Sequence, residues 1–209
     1  MALIQLEHVS KRFGEKIIFK DLSMKLEEKK MYAIVGKSGS GKTTLINMIG
    51  GIEHVTDGSL RVFGQTPKNM RSSAIRKLLK YKISFLFQNY ALSDNDTVKY
   101  NLEMALTYSG QKNKKEAMAK ALETVGLWGF EQKKVYTLSG GEQQRVALAR
   151  LILKPTELIL ADEPTGNLDK KNRDMVFRIL QDFKEQGKTI LIATHDMDLA
   201  KQCDAIIEI

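Results

Sequence analysis

Five short apolar runs rich in β-branched residues punctuate the chain: MYAIVG (31–36), KISFLF (82–87), ELILAD (157–162), TILIAT (189–194) and DAIIEI (204–209). Each is nearly continuous in apolar residues, the pattern of a strand buried on both faces of a parallel sheet. Between most of them lie segments of helical character, over 42–49, 69–80, 142–153 and 170–186. Strands alternating with helices predict an α/β fold with a mostly parallel central sheet.

Two stretches break that rhythm. IQLEHVSKRF, KIIFK and DLSMKLEE, in the first 30 residues, read as short alternating strands joined by Gly14 and Lys29-Lys30, an antiparallel piece flanking the parallel core. Between Thr97 and Tyr136, VKYNLEMALTY and KNKKEAMAKALETVGL read as amphipathic helices with no strand between them. The expected organisation is one domain over 1–209, a core from 1–88 and 137–209 with a helical subdomain inserted at 89–136.

Composition excludes more than it selects. The 209 residues suit one domain of ordinary depth, and 43% hydrophobic residues are enough to bury a core. A single cysteine, Cys203, rules out an internal disulfide, and with only His8, His54 and His195 no zinc-finger spacing can be assembled. The longest stretch without a charged residue is 83–93, whereas a bilayer span needs about 20 apolar residues. The net charge of +8 raises nucleic acid, nucleotide phosphate and membrane headgroups together.

Motifs choose among them. Gly36, Lys37, Ser38, Gly39, Ser40, Gly41, Lys42, Thr43 and Thr44 satisfy G-x-x-x-x-G-K-[ST], with a strand before and a helix after. The glycines let successive backbone N–H groups turn inward around a phosphate, and the helix starting near Lys42 adds its positive end. Lys42 would reach the β and γ phosphates of a nucleoside triphosphate, and the Thr43 hydroxyl would hold Mg²⁺. The run Leu158 to Ala161 ends in Asp162 and Glu163. A neighbouring strand delivers an acid to the magnesium shell in this way, so Asp162 is the metal-side carboxylate and Glu163 the group that orients or deprotonates water.

The segment Leu138-Ser139-Gly140-Gly141-Glu142-Gln143-Gln144-Arg145 places a serine and two glycines directly before a helix, a second anion-binding helix start in the same chain. One P-loop holds one triphosphate, so a second cradle implies a second molecule. LSGGEQQR resembles the signature motif of the ATP-binding cassette (ABC) ATPases. That resemblance covers essentially the whole chain and implies a P-loop ABC cassette with ATP and Mg²⁺. It also implies that Ser139, Gly140 and Gly141 of one subunit close over the γ-phosphate held by its partner in an ATP-dependent homodimer.

Further positions follow from the same resemblance. Gln88 looks like the glutamine that touches Mg²⁺ or water and hinges the helical subdomain. Asp169, in Gly166-Asn167-Leu168-Asp169, looks like a residue that acts across the dimer, and His195 like the histidine that contacts the γ-phosphate. Phe13 stands where the family most often has a tyrosine stacked on adenine, and phenylalanine keeps the π-face. Glu142 replaces the Gln found in many members, and either suits a helix start.

FQNYALSDNDTVKYNLEMAL and ADEPTGNLD look most like the macrolide, lipoprotein and bacteriocin exporter class, and within it like bacteriocin-export ATPases. The resemblance therefore implies a separate membrane permease and a cytoplasmic location, peripheral on the inner face of the cell membrane through that permease. Its docking groove would lie beside Gln88, with Tyr90 and Leu92 as contacts or, equally, as ordinary packing residues. A DNA-repair ABC ATPase would carry a long coiled coil between Gln88 and Ser139, where only about 50 residues stand without sustained heptads. A translation factor of this superfamily carries two cassettes, and this chain has one P-loop. No nucleic-acid partner is expected.

The charge is then local. Residues 61–82 hold Arg61, Lys68, Arg71, Arg76, Lys77, Lys80 and Lys82 and no carboxylate, which is +7 of the +8. They read as a solvated helix face, with permease or headgroup contact as the alternative.

Overall fold

The computed structural model describes residues 2–66, 73–166 and 168–209. Five parallel strands form the central sheet in the order β5-β6-β7-β3-β8: β3 (Met31–Val35), β5 (Ile83–Leu86), β6 (Leu158–Asp162), β7 (Thr189–Ala193) and β8 (Ala205–Glu208). These correspond to the five apolar runs. The reason the runs do not alternate is visible in β6 and β7. Leu158, Leu160, Leu191 and Ala193 point into one core, and Ile159, Ala161, Ile190 and Ile192 into the other. Side chains on a strand alternate between faces, so only a sheet covered on both sides demands an apolar residue at every position.

One face is covered by α1 (Lys42–Ile49), α2 (Ser73–Tyr81) and a three-stranded antiparallel sheet of order β2-β1-β4, made of β1 (Ala2–Phe13), β2 (Lys16–Glu27) and β4 (Asp57–Val62). The other face is covered by α3 (Val98–Leu106), α4 (Lys114–Thr124), α5 (Gly140–Leu153), α6 (Lys170–Glu185) and the short α7 (Met197–Ala200). The helix α5 packs on α3 and α4 and also on β5 and α6. One hydrophobic cluster therefore runs from Val98, Leu102 and Leu122 through Val146 and Leu148 to Ile159 and Ile190.

The N-terminal expectation needs correction. Instead of three short strands there are two of 12 residues, joined by a two-residue turn at Gly14 and Glu15. The polar break around Asp21 is absorbed by shifts in register between Leu6, Val9 and Lys11, with His8 and Asp21 at positive φ, rather than by a turn. The third strand comes from β4, which the sequence pattern conceals because DGSLRV offers only Leu60 and Val62 to the core. Its Gly58 has φ +86°, and a Cβ there would lie 2.3 Å from the His8 carbonyl oxygen, so the close approach of β4 to the irregular part of β1 requires glycine.

One boundary also moves. The signature helix begins at Gly140 and not Glu142, because Ser139 is its N-cap. The helix expected over 69–80 is described from Ser73; its earlier part, with Arg71, and Lys68 before it lie outside the described residues.

Candidate active site at the carboxyl edge of the sheet

In a parallel sheet all strand carboxyl ends share one edge, so residues far apart in sequence meet there. The P-loop follows β3, Gln88 follows β5, Asp162 ends β6 and His195 follows β7. A cleft of about 530 Å³ at this edge is lined by Phe13, Lys16, Ile18, Ser38, Gly39, Gly41, Lys42, Thr43, Thr44, Gln88, Asp162, Glu163 and His195. The sequence pattern does not mark Lys16 and Ile18, on β2, because nothing in an alternating strand shows which side chains face a distant loop.

Within the P-loop the side chains divide. Lys42 is buried and its ammonium donates to the carbonyls of Gly36 at 2.9 Å and Lys37 at 3.2 Å, which uses two of its three N–H groups. The N-cap of α1 is Gly41, at φ +106°, and no side chain caps this helix. Its first backbone N–H groups, without carbonyl partners one turn back, are therefore left for an anion. Gly36, Lys37 and Ser40 stand on the far side of the loop, in a recess shared with His195.

The carboxylates lie opposite. The Thr43 hydroxyl donates to Asp162 Oδ1 at 3.1 Å. Burial pushes the Asp162 carboxyl up, the hydrogen bond from Thr43 opposes that shift, and the neighbouring charge of Glu163 adds to it. Glu163 has φ +45°, a left-handed conformation that costs a non-glycine residue about 1 kcal/mol or more. His195 Nδ1 comes within 2.9 Å of Glu163 Oε2 without the alignment of a hydrogen bond, so Oε2 stays buried and without a hydrogen-bond partner. Ser40 Oγ is the other such oxygen at this edge. Buried polar atoms are nearly always satisfied, and the Glu163 orphan, in the cleft that also holds Lys42 and the uncapped start of α1, fits a bound polyphosphate and water. Among the described residues no three His, Cys, Asp or Glu side chains are grouped to hold a metal alone. Thr43 and Asp162 fit Mg²⁺ only with phosphate or water oxygens completing the shell, which is how that ion commonly binds.

Besides Gly36, Lys37 and Ser40, four expected residues are not among those lining this cleft. Ser139, Gly140 and Gly141 open α5, where Ser139 Oγ accepts from the Glu142 amide and Glu142 Oε2 in turn accepts from the Ser139 amide and hydroxyl, both at 2.8 Å. This capping box agrees with the reading of Glu142 as a residue suited to a helix start. Asp169 is the N-cap of α6, with Oδ1 accepting from the Asn172 amide at 2.9 Å. Asn167 lies outside the described residues.

The rest of the signature is used within the chain. Gln144 is buried, and its Nε2 donates to the Pro164 carbonyl at 2.8 Å, while Arg145 donates to Asn172. Both bind α5 to the segment after Glu163. A signal for Gln144 was present: it shares a helix face with Leu148 and Leu151, where a polar residue needs a buried partner. Arg173 pairs with Asp196 at 3.1 Å, tying α6 to the turn that carries His195.

Tyr90 and Leu92 take the packing alternative. Both are half-buried and packed against the large cluster under α3 and α5, and Tyr90 and Ala91 have positive φ with their carbonyls held by the Arg150 guanidinium. They are packing residues of the turn after Gln88. Beside them lies a largely apolar groove of about 640 Å³ between α2, β5, α3 and α5, which includes Leu79, Phe85, Phe87, Met104 and Tyr108. From the basic segment, Arg76 and Lys80 line this groove, and Lys82 pairs with Glu157 at 3.1 Å.

A phosphate-binding loop at the carboxyl edge of a parallel sheet, faced by an acidic pair from the next strand but one, places the molecule in the class of P-loop nucleotide-binding proteins. The model of the ABC transporter family matches residues 19–166, and the chain belongs to that family. It is 38% identical over 216 residues to the macrolide export ATP-binding/permease protein MacB of Mannheimia succiniciproducens, and 39% identical over 215 residues to that of Salmonella typhimurium. Each match takes in 100% of this chain and 33% of the relative, so the chain spans about a third of the length of the curated relatives it matches. Among solved structures it resembles MJ0796, a bacterial ABC transporter cassette solved as a dimer, with a TM-score of 0.89 and 32% identity over 99% of this chain and 94% of that one. The same scores relate it to a dimeric post-hydrolysis state of MJ0796 bound to ADP and Pi. A TM-score of 0.84 to cbiO1 of Clostridium perfringens, at 24% identity over 99% of this chain and 84% of that one, speaks to the fold alone. The chain is thus an ABC-type ATPase, similar over its whole length to part of the MacB proteins.

Proposed function

We propose that this cassette binds ATP with Mg²⁺, dimerises on two ATP molecules, and uses their hydrolysis to drive export through a separate membrane permease. The observation that carries the reading is the split of anion-binding helix starts. That of α1 faces the acidic pair and His195 across one cleft, while that of α5, closed within the chain by its own capping box, is not part of that cleft and would serve a second molecule. The dimeric cassette MJ0796 supports this arrangement. Lys42 and the α1 amides would hold phosphate oxygens. Thr43, Asp162 and Gln88 would share Mg²⁺, which supplies charge neutralisation at the phosphates when bound. Glu163 would take the proton of the attacking water, and His195 would contact the γ-phosphate. Asp169, whose carboxyl is held low by the Asn172 amide, would act across the dimer from a fixed helix cap.

The permease docks in the apolar groove beside the Gln88 turn, and segment 89–136 moves with it as a helical unit. No helix among the described residues is long and apolar enough to cross a membrane, so the chain would sit on the inner face through that partner. The cargo class is a peptide or bacteriocin, a drug or a lipoprotein; the macrolide-export relatives support an export direction.

The test is Ser139→Arg. An arginine there removes the N-cap oxygen and fills the cradle. ATP binding to the monomer should stay within about two-fold while the ATP-dependent dimer, measured by light scattering, falls at least about ten-fold. A dimer of wild-type affinity sinks the trans cradle. Double-stranded DNA or RNA at physiological salt should leave hydrolysis unchanged, and a several-fold stimulation would favour a nucleic-acid role instead.

A further inference from the structure

We infer that Lys11 is a positioning residue for the nucleotide base: it fixes the Phe13 ring and sets the span between that ring and the P-loop helix. The inference rests on the proposed stacking role of Phe13. Lys11 and Phe13 stand two residues apart at the end of β1, the spacing that puts side chains on one face of a strand. A lysine on such a strand ordinarily sends its ammonium into water. Here only 8% of the side chain is exposed.

The ammonium is held at three points. It donates to Glu53 Oε2 and to the His54 carbonyl, both at 2.8 Å, and stands 4.3 Å from the centroid of the Phe13 ring. Glu53 is fixed in turn, because its amide and that of Ile52 donate to the carbonyl of Asn47 on α1. A chain of contacts thus leads from the P-loop helix through Glu53 and Lys11 to the ring. Its value to stability alone is small, since a buried ion pair offsets little more than its own desolvation. Its geometric effect is larger. Phe13 is 46% exposed at the tip of a hairpin, where an unheld ring samples several rotamers. The attraction of the ammonium for the ring quadrupole selects one of them. It also occupies one face, so a base stacks only on the other. The phosphates are set by α1 and the base by Phe13, and Lys11 relates the two.

The experiment compares MgATP with magnesium tripolyphosphate, which has phosphates and no base, by calorimetry on the full chain. Phe13→Ala should weaken ATP about ten-fold and leave tripolyphosphate within about two-fold. Lys11→Met should weaken ATP about three- to ten-fold with tripolyphosphate again unchanged, and Lys11→Arg, whose guanidinium also attracts a ring, should recover most of the loss. If Phe13→Ala leaves ATP affinity intact, the stacking reading fails and takes this inference with it. If Phe13→Ala weakens ATP but Lys11→Met does not, the role of Lys11 alone is overturned. Equal weakening of both ligands in Lys11→Met would mean a general structural part and also overturns it. Should Lys11→Met not fold, Glu53→Gln carries the comparison, since it loosens the ammonium at a carboxylate that is 36% exposed. A selective loss of ATP affinity of about two-fold or more is then expected, and none would count against the proposal.

Discussion

Glu163→Gln should bind ATP about as well as the parent chain, accumulate as an ATP-dependent dimer, and hydrolyse at least about 100 times more slowly. A positioned general base contributes about 10²–10⁴-fold, which sets the scale. Three features of the residue point the same way. Its backbone is held at φ +45°, a strain that persists only where the surroundings enforce it. Its Oε2 is buried and takes no aligned hydrogen bond within the chain. His195 closes on the same oxygen at 2.9 Å. Glutamine preserves the shape and loses the basicity. It also removes the charge that helps raise the Asp162 carboxyl, so Asp162 becomes a readier anion and metal-dependent binding should not suffer. Steady-state phosphate release together with light scattering in ATP decides the matter. Turnover within two-fold of the parent would remove Glu163 from the proposed role.

What the sequence discloses about this molecule depends on whether the physics is local. The central strands are legible because burial on both faces writes an apolar residue at every position, as in Leu158, Ile159, Leu160 and Ala161. The P-loop is legible because its turns need glycine where φ is +80° at Gly39 and +106° at Gly41. The meeting of Gln88, Asp162, Glu163 and His195 follows once the sheet is known to be parallel, because strand ends then share an edge.

Where partners come from distant segments, legibility ends. The strand β4 completes its sheet by pairing with β1, and its own six residues carry too few apolar positions to announce it. Tyr90 and Leu92 read as surface residues because the helices that cover them lie further along the chain. Nothing in the sequence marks Lys11, whose burial depends on a carboxylate 42 residues away. The basic run divides for the same reason, since Lys82 finds Glu157 while Arg76 and Lys80 fall beside the groove. Ser139 and Asp169 illustrate the converse. Local helix capping accounts for each in full within one chain, so a role across a dimer has to be tested there and cannot be read from their hydrogen bonds.

Gly41→Val should abolish measurable ATP binding and lower the melting temperature by roughly 5–15 °C, whereas Gly39→Ala, two residues earlier, should cost only a few degrees. Both glycines have positive φ, so both substitutions incur the left-handed penalty of about 1–2 kcal/mol. They differ in space. Nothing lies within 4 Å of a Cβ built at Gly39, while one at Gly41 would stand 2.6 Å from the Ile18 side chain and 2.6 Å from the ring of Phe19. Phe19 is buried in the core beneath the antiparallel sheet and cannot swing out without opening that core. Overpacking there adds about 1–3 kcal/mol, and each kcal/mol moves the melting point by about 2–4 °C in a domain of this size. The nucleotide effect is larger because Gly41 is the N-cap of α1. Displacing it turns the first amides of the helix and the Lys42 ammonium away from the position where they converge. Thermal unfolding and calorimetric titration with MgATP on both variants separate strain from collision. If Gly39→Ala and Gly41→Val lose ATP affinity equally, backbone conformation alone governs the loop and the contact with Phe19 is irrelevant to it.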